Sequence, residues 1–143
     1  MKRAEALRPL SRDHHAALVA AKSLREAADP EPVTQSFLDF WRRDGQRHFR
    51  VEEEVLLPRW ALHDPVDQPA VTRMLGDHLL IRRDVLRLEA GEASLEQLRE
   101  LGRRLAEHVR FEERELFPLI EKALDPDSLS SLETAIKRAE AEQ

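Results

Sequence analysis

His48-Phe49-Arg50-Val51-Glu52-Glu53 and His108-Val109-Arg110-Phe111-Glu112-Glu113 repeat one pattern sixty residues apart, and both run on to a matching Leu and Pro, Leu56 and Pro58 in one copy, Leu116 and Pro118 in the other. Six of the eleven aligned positions are identical. On a helix, residues i and i+4 share a face about 6 Å apart along the axis. Each copy therefore aims an imidazole and a carboxylate in one direction, as a pair of metal ligands does. Two such pairs in one small chain predict one buried site for two metal ions.

Working outward, the remaining sequence supplies a frame for that site. At 143 residues, the chain fits one domain, residues 1–143, large enough to bury roughly 70% of its unfolded surface. Hydrophobic residues make up 41% and charged residues 36%, with four Gly and eight Pro, a balance that fits amphipathic helices with solvated outer faces. The net charge of −5 comes with arginines interspersed among acids, which argues against a nucleic-acid partner. The opening Met1-Lys2-Arg3-Ala4-Glu5 has no apolar core of the signal-peptide kind, and no stretch approaches membrane-spanning length. The expectation is a soluble, cytoplasmic protein without a membrane partner. With no Cys there is no disulfide, thiolate nucleophile or iron–sulfur cluster, and with no Tyr there is no tyrosyl radical.

Pro and Gly clusters divide the chain into four long helical stretches and a short tail. The breaks fall at Asp29-Pro30-Glu31-Pro32, from His63-Asp64-Pro65 to Pro69, from Gly91 to Ser94, and at Asp125-Pro126-Asp127-Ser128. Ser11, Ser94 and Ser128 are candidate N-caps. Each stretch carries an apolar stripe that runs through a His. The stripes are Leu7, Leu10, His14, Leu18, Ala21, Leu24; then Phe37, Trp41, His48, Glu52, Val55; then Val71, Leu75, His78, Val85; and finally Leu98, Leu101, Leu105, His108, Glu112, Leu119. Short connections predict an all-α, up-down-up-down four-helix bundle. The tail stripe Leu129, Leu132, Ile136, Ala139 predicts a short fifth helix against it. Pro58 and Pro118 lack the backbone donor, so their helices are expected to kink or stop nearby.

The repeat also reaches the first and third stretches, where Asp13-His14 is echoed by Asp77-His78. Helix rise places His14 roughly 22 Å from the first turn and His48 roughly 24 Å back from it. In the second half, His78 and His108 lie roughly 20 and 21 Å from theirs. All four histidines therefore fall at nearly one level.

A single His-x-x-x-Glu carries little weight, since six His in this composition give roughly 0.8 such matches by chance. Two copies on inward stripes, level with two further His, are a different matter. Four imidazoles and two carboxylates in a bundle core would be costly without a cation. The candidate ligands are His14, His48, Glu52, His78, His108 and Glu112. His14 is preferred over His15 because it lies on the stripe and pairs with His78 in the repeat, which leaves His15 a flanking role. His63 falls in a Pro-bounded loop and is read as surface. Glu53 and Glu113 point about 100° away from Glu52 and Glu112. They are read as surface salt-bridge residues, with support of a ligand imidazole as the alternative. Imidazole and carboxylate without thiolate suit iron or manganese, and also zinc. The Glu-x-x-His of ferritin-like di-iron bundles is absent, because Ser11, Gly45, Leu75 and Leu105 stand three before the histidines.

From about Leu7 to Leu124 the chain resembles the hemerythrin-like family, the His-His-Glu cation-binding domain. The resemblance rests on a His in the first and third stretches, and on His-x-x-x-Glu-Glu with its Leu and Pro in the second and fourth. It implies that His14 and His48 bind one iron and His78 and His108 the other, with Glu52 and Glu112 bridging. An oxo or hydroxo bridge would complete five donors per iron and leave a position open for O2, NO or peroxide. Oxygen-carrying members have a second His four residues from the one on the third helix, where this chain has Met74 or Arg82, and end in His-x-x-x-x-Asp rather than His108-x-x-x-Glu112. Both departures point to the wider cation-binding branch.

The leading expectation is thus a non-haem di-iron protein, not primarily an enzyme, that binds a diatomic gas or senses iron or redox state. The rivals are a di-iron oxidase or peroxidase, an iron-centre repair factor, and an iron or manganese buffer. Repair factors of this family carry an N-terminal Cys segment, so the lack of Cys weakens that reading.

Overall fold

The computed structural model describes residues 2–63 and 67–142. These form five helices and no strands. A 3-10 turn, Glu5–Leu7, leads into α1, Arg8–Arg25. Helix α2 covers residues 30–61, α3 is Gln68–Glu89, α4 covers residues 95–123, and α5 is Pro126–Ala141. The breaks lie where Pro and Gly foretold them, although Asp64, Pro65 and Val66 fall outside the described residues. Among the described residues, no helix is long and apolar enough to cross a membrane.

Local chemistry sets the starts and stops. Ser94 caps α4 in a reciprocal capping box with Gln97, as expected. The other two serines were misread. Ser11 lies inside α1, and its hydroxyl donates to Glu113 Oε2 at 2.7 Å. At α5 the cap is Asp125, which accepts from the Ser128 amide at 2.8 Å. Asp29 and Asp67 cap α2 and α3 in the same way, each just before a Pro in the first turn. Gly91 ends α3 at φ 71°, where a Cβ is disfavoured.

Neither Pro58 nor Pro118 stops its helix. Each follows a π turn, Glu52–Leu56 or Glu112–Leu116, across which Leu57 and Phe117 donate back five residues to the carbonyls of Glu52 and Glu112. The proline then enters in the first turn of the resumed α segment, where a missing donor is tolerated. A third π turn, Trp41–Gly45, interrupts α2 earlier. Both expected prolines are therefore absorbed by a widened turn that begins at a candidate ligand.

The core is split in two. One cluster packs Leu7, Leu10, Leu56, Trp60, Met74, Leu116, Phe117 and Ile120 with Leu132 and Ile136 of α5. The other packs Ala21, Leu24, Phe37, Trp41, Phe49, Ile81, Val85, Leu98, Leu101 and Leu105. Both tryptophans are thus core residues. The tail helix lies against the first 3-10 turn and the middle of α2, as its stripe predicted. Two stripe positions were read one residue off. Leu18 and Leu75 are 39% and 43% exposed, while their neighbours Ala17 and Met74 face inward. Between the two apolar clusters lies a single polar layer.

Candidate metal centre

That layer is made by His14 on α1, His48 and Glu52 on α2, His78 on α3, and His108 and Glu112 on α4, all buried. The two glutamates are fully buried, at 0% exposure. The i, i+4 spacing sets each His beside its own Glu, with His48 Nε2 at 3.1 Å from Glu52 Oε2 and His108 Nε2 at 3.1 Å from Glu112 Oε2. Across the bundle, His14 Nε2 lies 2.8 Å from Glu112 Oε1, and His78 Nε2 lies 3.2 Å from Glu52 Oε1. Each glutamate therefore faces a histidine from its own helix and one from a neighbour. His15 and His63 are exposed and stand apart from this layer.

While the Nε2 atoms converge, the Nδ1 atoms face outward to four carboxylates. Asp13 on α1 accepts from His48 on α2 at 3.0 Å, and Glu53 on α2 accepts from His78 on α3 at 2.6 Å. Asp77 on α3 accepts from His108 on α4 at 3.0 Å, and Glu113 on α4 accepts from His14 on α1 at 2.6 Å. Glu53 and Glu113 pair with Arg82 and Arg3, as the salt-bridge reading expected, and the alternative holds as well, because the 100° offset from Glu52 and Glu112 turns them onto the next helix's imidazole. Asp13 and Asp77 were missed as site residues. Their signal was the repeated Asp-His dipeptide, but each aspartate serves a histidine on the following helix and not its neighbour in sequence.

The electrostatics follow from these pairs. Burial disfavours a charged His108, yet the Glu112 carboxylate and the Asp77 hydrogen bond outweigh it and push its pKa up to about 10. His14, His48 and His78 are raised against the same burial penalty by the carboxylates on both ring nitrogens. Burial would raise Glu112, but His108, His14 and His48 hold it well below the ordinary carboxylate range. Glu53 and Glu113 are lowered in turn, with burial overcome by His78 and His14 respectively.

Despite these close approaches, His48 Nε2, both oxygens of Glu52, and Glu112 Oε2 make no well-aligned hydrogen bond. An unpaired buried carboxylate oxygen is expensive, and a cation is the group that satisfies several at once. Two sets of four residues, His14/His48/Glu52/Glu112 and Glu52/His78/His108/Glu112, each bring one ligand atom per residue to within 4.8 Å of the others. The donors are nitrogen and oxygen only, and they fit a cation.

The family model of the hemerythrin HHE cation binding domain matches residues 6–120. The chain belongs to this family. The match spans α1 to most of α4, so every member of the polar layer falls inside the HHE domain. Comparison with curated proteins and with solved structures gave no match.

On one side the layer of this HHE domain borders a cavity of about 20 Å³. Asp13, His14, Asp44, His48 and His108 form its polar edge, and Phe37, Phe40, Trp41, Phe49, Ile81, Leu105 and Val109 much of the remainder. Holding one water takes roughly 10–15 Å³ by the same kind of measure, so the space suits a molecule of very few atoms.

Proposed function

We propose that this HHE domain is a single-domain, up-down-up-down bundle that holds two metal ions, iron by family resemblance, and binds or senses a small neutral molecule such as O2 or NO. His14 and His48 would hold one ion, His78 and His108 the other, with Glu52 and Glu112 shared between them. Iron held there would supply a redox-active centre for such a molecule. The residues do the rest. Asp13, Glu53, Asp77 and Glu113 keep the proton on each Nδ1, which leaves each Nε2 lone pair for a metal. The fully buried glutamates would offset the charge of the ions.

The observation that carries the metal reading is the sharing of Glu52 and Glu112 between the two four-residue sets, with oxygens otherwise left unpaired. The ligand reading is supported by the cavity, whose small volume suits a molecule of few atoms and whose mainly aromatic and aliphatic walls, with the carboxylates Asp13 and Asp44, disfavour an anion. The test is metal content per chain by mass spectrometry, on protein made in iron- and manganese-supplemented medium. We expect close to two iron per chain, and a reduced-state absorption spectrum that returns when O2 or NO is removed. A folded helical chain that carries neither metal would overturn the proposal. Steady O2 consumption with a reductant would replace reversible binding by turnover.

A further inference from the structure

Two of the four imidazoles are each held by an arginine through two separate routes. Arg82 Nη2 donates to Glu53 Oε1 and Oε2 at 3.3 and 3.2 Å, and Glu53 accepts from His78 Nδ1 at 2.6 Å. The same guanidinium lies 5.6 Å from the centre of the Phe49 ring. That ring stacks on His78 with centroids 3.7 Å apart and planes at 4°. In the other half, Arg3 Nη2 donates to Glu113 Oε1 at 3.3 Å, and Glu113 Oε2 accepts from His14 Nδ1 at 2.6 Å. Arg3 also lies 5.4 Å from the centre of Phe117, which stacks on His14 at 5.5 Å and 10°.

The internal repeat supplies the histidines and carboxylates of this likeness but not its arginines or phenylalanines. Phe49 has Val109 at its repeat position, Phe117 has Leu57, and the residue four after His14 is Leu18 where His78 is followed by Arg82. The carboxylates Glu53 and Glu113 are repeat partners, but the arginine and the phenylalanine of each triad come from unrelated positions, once in each half of the polar layer. His48 and His108 lack it. Their rings meet Phe49 at 51° and 64°, and Arg73 stands 3.8 Å from Asp77.

We infer that Arg3 and Arg82 are positioning residues for His14 and His78, an inference that rests on the metal-centre reading above. A guanidinium Nη2 bound to the carboxylate keeps that carboxylate turned toward Nδ1 and so holds the Nδ1–H tautomer with Nε2 free. The cation over the phenyl ring holds the ring, which presses on the imidazole face. Together the two contacts fix both the proton and the plane of the ligand ring. A lysine, a compact point charge without the flat extent of a guanidinium, cannot bond the carboxylate and cover the ring equally well.

The test uses the full chain loaded with zinc, a diamagnetic probe, and follows solvent exchange of the individual imidazole Nδ1–H protons by NMR. In Arg82→Gln the His78 proton is expected to exchange faster than in the wild type while His14 is unchanged. Arg3→Gln should give the reverse pattern, and Arg82→Lys should fall between wild type and Arg82→Gln. If Arg82→Gln does not fold, Phe49→Leu and Arg82→Lys test the two routes to His78 separately. Exchange unchanged at both rings, or hastened alike at all four rings, overturns the inference. If the wild-type Nε2 resonances remain those of free imidazole when zinc is added, the metal-centre reading itself fails, and that is seen before any variant is made.

Discussion

His78 Nε2 and His108 Nε2 face each other at 3.2 Å in the buried layer. Both rings already direct Nδ1 at a carboxylate and both have raised pKa values, so without a cation two Nε2–H donors are brought face to face. A metal ion removes that conflict. Iron(II) added under anaerobic conditions should therefore raise the melting temperature, and a chelator should reverse the rise. At one hundred times the dissociation constant, the gain is about 2.7 kcal/mol. A melting curve indifferent to iron and to chelator would contradict the site.

Glu52→Ala and Glu112→Ala should each abolish stoichiometric metal binding, since each carboxylate belongs to both sets of donors. Each variant also leaves raised-pKa imidazoles without their buried counter-charge, a loss of about 3–5 kcal/mol in urea unfolding of the metal-free chain. Full metal content together with an unchanged melting temperature in either variant would show that the glutamate is not shared.

Stability and metal affinity should respond to pH in opposite directions. In the metal-free protein the His108 pKa is raised from 6.5 to about 10. Its contribution is fully present below about pH 6.5 and is lost as pH rises toward 10. The depressed Glu112 contributes fully above its ordinary 4.5 and loses that contribution as pH falls through its lower folded value. Metal-free stability should thus be greatest near pH 4.5–6.5 for this pair and decline on the alkaline side. Metal binding needs unprotonated Nε2, so affinity should climb over that alkaline range. Parallel urea titrations and metal titrations from pH 5 to 10 test both slopes.

Asp13→Asn and Asp77→Asn change no candidate ligand, yet each weakens the bond that orients one, His48 and His108 respectively. Such outer partners are typically worth 10–100-fold in metal affinity. Competition against a chromogenic chelator should show that loss with the helical circular dichroism intact. Wild-type affinity in both variants would mean that these aspartates serve only the fold.

Two glycines separate close packing from open helix. At Gly102 an added Cβ would lie 2.7 Å from the Ala21 carbonyl oxygen and 2.9 Å from Leu24 Cβ. The obstruction includes backbone, so Gly102→Ala should cost about 1–3 kcal/mol by forcing α1 from α4. At Gly76 nothing lies within 4 Å, and Gly76→Ala should stabilise the chain by up to about 1 kcal/mol. Denaturant midpoints should shift in opposite directions.

The sequence disclosed the polar layer because its information is local and repeated. His48/Glu52 and His108/Glu112 lie one helical turn apart, and equal arm lengths from the turns set His14 and His78 level with them. What escaped depends on contacts between helices. Nothing in Asp13-His14 says that the aspartate turns to His48. Arg3 precedes every periodic stretch, so no stripe could assign it to Glu113. On α3 the adjacent apolar pair Met74-Leu75 left the helical phase open, and only counting back four from His78 selects Met74. Asp125 could have been chosen over Ser128 as the cap, since Pro126 marks the first helical position. The π turns had no such marker beyond Pro58 and Pro118, which report that a regular turn is difficult without saying how the backbone yields.

The four carboxylate–imidazole bonds run from α1 to α2, α2 to α3, α3 to α4, and α4 back to α1. They form a closed circuit whose links alternate between Asp and Glu. A fragment containing only the first two helices keeps the Asp13 link but leaves His14 without its acceptor and Glu53 without its donor. The last two helices are deficient in the same way, with His78 and Glu113 left over. Each half supplies what the other half is missing. Two copies of one such half, facing each other, would close the same circuit, so the symmetry of the centre is that of a dimer written into one chain.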